Sequence, residues 1–222
     1  MLKIDFQQLV VPPGHQVLLR DIDWPTYEAI LDEAGEHRAA RFAYCQGMLE
    51  IMSPLAEHEF NKSFIGDVVK VLLEELDVEF SALGSTTLKI PGSGLGVEPD
   101  ECFYIQHEAA VRGRSRLDLS VDPPPDLALE IDLTSRTHFQ NYELLGIPEL
   151  WRYDGQRLEI LVLEEGAYIP SETSRQFPDF PLKALVPELL ETSKREGRSK
   201  VLKAFRSLVR ERLFPCKSTS TN

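Results

Sequence analysis

Between Asp126 and Leu133 the chain alternates almost without fault, with Leu127, Leu129, Ile131 and Leu133 at one parity and Asp126, Glu130 and Asp132 at the other. Side chains of an extended strand point to opposite faces in turn, so the pattern predicts a strand with one apolar face and three carboxylates on the other. A different period governs Glu57 to Leu76, where Phe60, Phe64, Val68, Val71, Leu72 and Leu76 recur at helical spacing and predict the strongest helix of the chain. Its first turn carries Glu57, His58 and Glu59.

Shorter patterns fill the space around these two. Asp23 ahead of Trp24-Pro25 is a helix cap with proline tolerated in the first turn, which predicts a helix from about Thr26 to Gly35. Phe42 to Cys45 and Met48 to Met52 flank Gln46-Gly47 and read as a hairpin. Strands are expected at Val78 to Leu83 and at Thr86 to Ile90, and the glycine-rich loop of 91–96 then leads into Val97 to Ile105, whose last part reads as a strand entered through Pro99. The polar run from Gln106 to Pro125 suits a surface excursion. A helix from Thr137 to Leu145 stops at Gly146 and Pro148, and a hairpin follows, from Glu149 to Asp154 and from Arg157 to Leu163. Val201, Leu202, Phe205, Leu208 and Val209 form the apolar face of a final helix whose other face is basic.

With 222 residues and 42% hydrophobic content the chain can bury a substantial core. The patterning predicts a principal domain over residues 1–193, a basic C-terminal helical extension over 194–217 and a disordered tail over 218–222. No apolar run is long enough to span a bilayer and the first residues lack a signal peptide's apolar core, so a cytoplasmic protein is expected. Its three cysteines are widely separated, which argues against a disulfide framework or a structural zinc site. A net charge of −12 argues against a broad nucleic-acid surface. The charge is uneven: from Lys194 onward there are nine basic residues against two acidic, so any phosphate contact would be local. That basic helix reads first as a solvated face and second as a site for nucleic acid or an acidic partner.

Three carboxylates on one face of an apolar strand are costly without a partner, and a hard divalent cation such as magnesium relieves that cost through oxygen ligands. Asp126, at the strand's start, reads as structural, whereas Glu130 and Asp132 lie within the strand and read as metal ligands. Glu50, between Met48 and Met52, either reaches the acidic cluster or faces solvent at an edge. His58 is either a packing residue or part of a site.

A helix beginning with acidic residues and histidine, followed by two strands that carry Asp100 and Glu130, resembles the PD-(D/E)XK nuclease superfamily. More narrowly, Gly47 to Pro54 followed by His58, Pro99-Asp100, Pro125 to Ile131, and Leu145 to Trp151 resemble the motifs of the Uma-two family of restriction-endonuclease-like proteins. The resemblance covers about half the chain. It implies a mixed α/β fold with a central mixed sheet flanked by helices, and magnesium (or manganese) held by Asp100 and Glu130, with Asp132 as a further ligand. It implies hydrolysis of phosphodiester bonds, with DNA as the expected partner and no membrane. Cutting both strands of a duplex would take two such sites, which a homodimer would supply. Glu50 and His58 would line the site. Superfamily members usually carry lysine two residues after the glutamate, and here that residue is Asp132. Lys89 on a preceding strand is the first substitute for handling water and Arg136 the second, since guanidinium does not give up its proton. The competing expectation is a catalytically impaired endonuclease-like fold that serves as a binding or regulatory module.

Overall fold

The computed structural model describes residues 8–35, 40–90, 94–133 and 139–213. Gln16–Leu19 (β1) leads to helix α1, Trp24–Ala34, where the Asp23 carboxylate accepts the Thr26 N–H at 2.9 Å as the cap pattern predicts. The hairpin pairs Arg41–Cys45 (β2) with Met48–Met52 (β3), and helix α2 runs Ala56–Glu75.

Beyond α2 the two expected strands are shorter than predicted, the strand entered through Pro99 is present, and a further short strand precedes it. Only Ser81–Ala82 (β4) and Leu88–Ile90 (β5) are extended in regular pairing, and the segment around Pro99 divides into Leu95–Val97 (β6) and Glu101–Tyr104 (β7). The break falls on Glu98-Pro99-Asp100. Proline has no N–H to give to a ladder, and here β6 and β7 belong to two different sheets.

The excursion after β7 holds one helical turn, Glu108–Val111 (α3), and is less external than its polarity suggests, because Glu108, Val111 and Asp122 are buried. Leu127–Ile131 (β8), helix α4 (Phe139–Leu144), Glu149–Tyr153 (β9) and Leu158–Glu164 (β10) follow the expected order. Three elements escape the pattern altogether or in part: β1, the edge strand Ala167–Ser171 (β11), and α5, Leu182–Glu196. Helix α6, Arg198–Leu213, closes the described chain.

The first sheet is antiparallel in the order β1-β3-β2-β6-β5, and the second has the order β11-β10-β9-β8-β7-β4 with β8 and β9 parallel, so it is mixed. Leu127, Leu129 and Ile131 of β8 pack beneath α2, α5 and α6. The opposite face of the second sheet meets the first through Ala128, Leu150 and Leu161 against Leu88, Leu95 and Val97, with Tyr142 of α4 filling the edge. Helix α1 covers the first sheet with Tyr27, whose ring stacks on Tyr44 at 4.5 Å. Gly96 is required there, since a Cβ would stand 2.5 Å from the Tyr27 hydroxyl oxygen.

The boundary expected at residue 194 falls within α5, and α6 is built into the core. Val201, Phe205 and Val209 are buried with Phe64, Val68 and Leu72 of α2 in one cluster. The basic face of α6 meets acids of α2: Arg198 pairs with Asp67, Arg206 with Glu74 at 2.6 Å and Glu75 at 2.7 Å, and Arg210 with Glu75 at 2.5 Å. The acidic partner of this helix is the protein's own second helix. Arg136 and the tail at 218–222 lie outside the described residues, as do the first residues of the helix expected from Thr137. Among the described residues no helix is long and apolar enough to cross a membrane.

Candidate functional site

Asp100 is the last residue of the break between the sheets and is 1% exposed. Its Oδ2 accepts the N–H of Ile131 at 2.8 Å, so the chain just ahead of β7 is tied to β8 at the residue after Glu130. Extending the antiparallel register in which Glu101 faces Leu129 sets Asp100 abreast of Glu130. Like charges so placed oppose one another. Burial first, then the Asp100 charge, holds the Glu130 carboxyl well above its usual range, against the Tyr142 hydroxyl, which donates to Glu130 Oε1. Asp132 raises it further and Arg41 lowers it.

Two cations approach Asp100 from other elements. Arg41 opens β2 and brings Nε within 3.9 Å of Oδ1, and His58 in the first turn of α2 brings Nε2 within 3.0 Å of Oδ2. The histidine contact is an ion pair off the line of a hydrogen bond, and neither ring nitrogen has a well-aligned partner among the described residues. Burial disfavours the His58 charge, but Asp100 and Glu59 outweigh it and raise the imidazole to about 9. Glu59 is drawn down to about 2, chiefly by His58 and then by Lys62, whose Nζ lies 2.8 Å from its carboxylate.

Four of the six residues singled out in the sequence fall in or beside this cluster. Asp100, Glu130 and His58 are brought together, and Asp132 sits at its margin with Oδ2 3.4 Å from Arg152, which also holds Glu159 at 2.7 Å. Glu50 is buried on β3 across from Ala43, on the face turned to the second sheet. Lys89 is not brought to the acids: Nζ lies 3.0 Å from Glu28 and 5.9 Å from the centre of the Trp24 ring. Asp126 is structural, accepting the N–H groups of Ile105 and His107 and contacting the His107 ring at 2.7 Å. Arg41 and Tyr142 were not anticipated; each arrives from a distant segment, and no spacing in the sequence relates them to Asp100, whereas Glu59 adjoins His58 in the first turn of α2.

The donor set suits a hard cation in part. Two carboxylates lie side by side, and the charge on one is disfavoured by the other, a conflict a divalent ion relieves. The third acid is engaged by Arg152, and among the described residues no group of three histidine, cysteine or acidic side chains is arranged to hold a metal. Asp100 and Glu130 are the residues that would hold such an ion.

The model of the family Uma2, described as "Putative restriction endonuclease", matches residues 24–193. No curated protein matches the chain. Among solved structures, a "putative nuclease belonging to DUF820" from Anabaena variabilis is similar at a TM-score of 0.45 and 12% identity, over 72% of this chain and 90% of that one.

Proposed function

The chain belongs to the Uma2 family, and from that premise we propose that it is a divalent-metal-dependent nuclease that hydrolyses phosphodiester bonds of DNA. The observation that supports this most is the apposition of Asp100, at the entry to β7, and Glu130, on the neighbouring strand β8, near the start of α2. When bound, magnesium or manganese would supply a polarised phosphate and an activated water.

The chain's own groups hold that pair in place. The Ile131 N–H fixes Asp100, the Tyr142 hydroxyl orients Glu130, and Arg41 and His58 offset the charge of Asp100. His58 carries its proton at neutral pH, which suits it to charge neutralisation rather than to removing a proton from water. Asp132, with Arg152 beside it, stands where a lysine was expected, so no amine is supplied at that position.

A second reading, a binding module that kept the fold without the chemistry, is favoured by one observation, the lack of a three-ligand group among the described residues. Incubation of the protein with DNA and with RNA in magnesium, in manganese and in chelator separates the two, with Glu130→Gln alongside. The nuclease reading expects divalent-dependent cleavage that is lost in the variant. It also expects a rise in Tm on adding manganese that the variant lacks, a readout independent of turnover. Neither cleavage nor a Tm rise would leave the binding module.

A further inference from the structure

A cleft of about 570 Å³ opens beside the acidic pair and shares a wall with it. Arg41, which approaches Asp100 at 3.9 Å, also lines the cleft, and so does Glu98, two residues before Asp100. Arg41, Lys89 and Arg116 line it with Asp32 and Glu98; Arg41 also reaches Asp100 at 3.9 Å and Lys89 pairs with Glu28 at 3.0 Å, which leaves Arg116, among the described residues of the lining, as the cation open to a ligand. The Glu98 carboxylate is already committed, accepting the Phe42 N–H at 3.1 Å and the Thr87 hydroxyl at 2.7 Å. Arg116 is exposed and makes no hydrogen bond or ion pair among the described residues. The hydroxyls of Ser85, Thr86 and Ser115 add donors along the same lining.

Cations and hydroxyls without an aromatic platform are the chemistry of phosphate contacts rather than of base stacking or base-edge reading. The volume falls in the range of sites that take one small-molecule-sized unit, about 300–1,000 Å³, and is far too small for the cross-section of a duplex. We propose that the cleft takes a single nucleic-acid strand by its phosphates, without base specificity, and leads it past Arg41 to Asp100 and Glu130. This rests on the nuclease reading and narrows it: the substrate is a single strand, and one copy of the chain is enough to cut it.

The test is anisotropy of a labelled oligothymidylate strand, and of the same strand in a duplex, with the full chain in chelator, where hydrolysis is silent. Wild type is expected to bind the strand more tightly than the duplex. Arg116→Ala should lower the slope of log affinity against log salt by about 0.7, the share of one phosphate contact on a single strand. Arg116→Glu should weaken binding severalfold, and Lys89→Ala should weaken it too. Arg157→Glu, on an exposed residue away from the cleft, should change nothing. Binding that ignores Arg116→Glu, equal affinity for the duplex, or no binding by wild type would each overturn the proposal. Cleft-dependent binding with no cleavage in magnesium or manganese would sustain the cleft and defeat the nuclease reading. Cleavage with binding that ignores the cleft would do the reverse.

Discussion

The carboxylate of Asp100 accepts the backbone N–H of Ile131 at 2.8 Å, so the first acid of the pair is held by the residue that directly follows the second. One side chain thereby anchors the junction between the two sheets and supplies charge to the site. Substitutions separate the two duties. Asp100→Ala loses the acceptor and should cost about 2–3 kcal/mol in urea unfolding, the scale of a hydrogen bond to a charged group. Asp100→Asn keeps an acceptor and should stay within about 1 kcal/mol of wild type, yet abolish divalent-dependent cleavage. Equal stability of the alanine variant and wild type would show that the tie to Ile131 holds nothing.

Asn61 is fully buried one turn beyond His58, and neither atom of its amide has a hydrogen-bond partner among the described residues. An unpaired buried amide costs on the order of 1–3 kcal/mol, and an apolar side chain of similar size removes that cost. Asn61→Leu should therefore raise the urea midpoint with the m-value unchanged. A lower midpoint would mean that the amide is satisfied, for instance by a bound water.

The contact between α2 and α6 should respond to acid. Arg210 first, with Arg206, holds the Glu75 carboxyl below its usual range. A carboxylate lowered in this way adds stability that is present above its unfolded pKa, about 4.3, and is lost as pH falls through the lowered folded value. The Tm of wild type should exceed that of Glu75→Gln at neutral pH, and the difference should close in acid. It should also shrink with salt, since the Arg210 side chain is 61% exposed. A difference that persists in acid would assign the effect to packing.

Phe205, 1% exposed, tests whether α6 belongs to the core or is appended to it. Phe205→Ala should cost about 3–5 kcal/mol, as truncations of buried aromatic side chains do. Lys203→Ala, on the exposed face of the same helix, should stay within about 0.5 kcal/mol. Similar small effects from both would make α6 peripheral.

Local signals carried much of the fold. The Asp23 cap, the Gln46-Gly47 turn and the apolar stripe of α2 each act over a few residues, and each element formed within a residue or two of its expected place. What the sequence hid depends on tertiary partners. The strand entered through Pro99 was legible, but β6 just ahead of it exists only by pairing within the other sheet and has no local mark. Pro187 inside α5 and Pro170 in β11 masked those elements, although α5 still buries Leu182, Val186 and Leu190. The site divides in the same way. Asp100 and Glu130 announced themselves by the strand pattern and the order of motifs, whereas Arg41 and Tyr142 reach them from segments with no local mark of that purpose.

The burial of Phe205 and Val209 against Phe64 and Val68 also sets a timetable for synthesis. Helix α2 is made early, but the side it shows to α6 stays open to solvent until the segment carrying Phe205 has left the ribosome. A nascent chain stalled after α5 would display that apolar strip along with the unpaired carboxylates of Asp67, Glu74 and Glu75. Such a surface is what chaperones hold and proteases find. The closing helix thus decides when that surface is withdrawn from solvent.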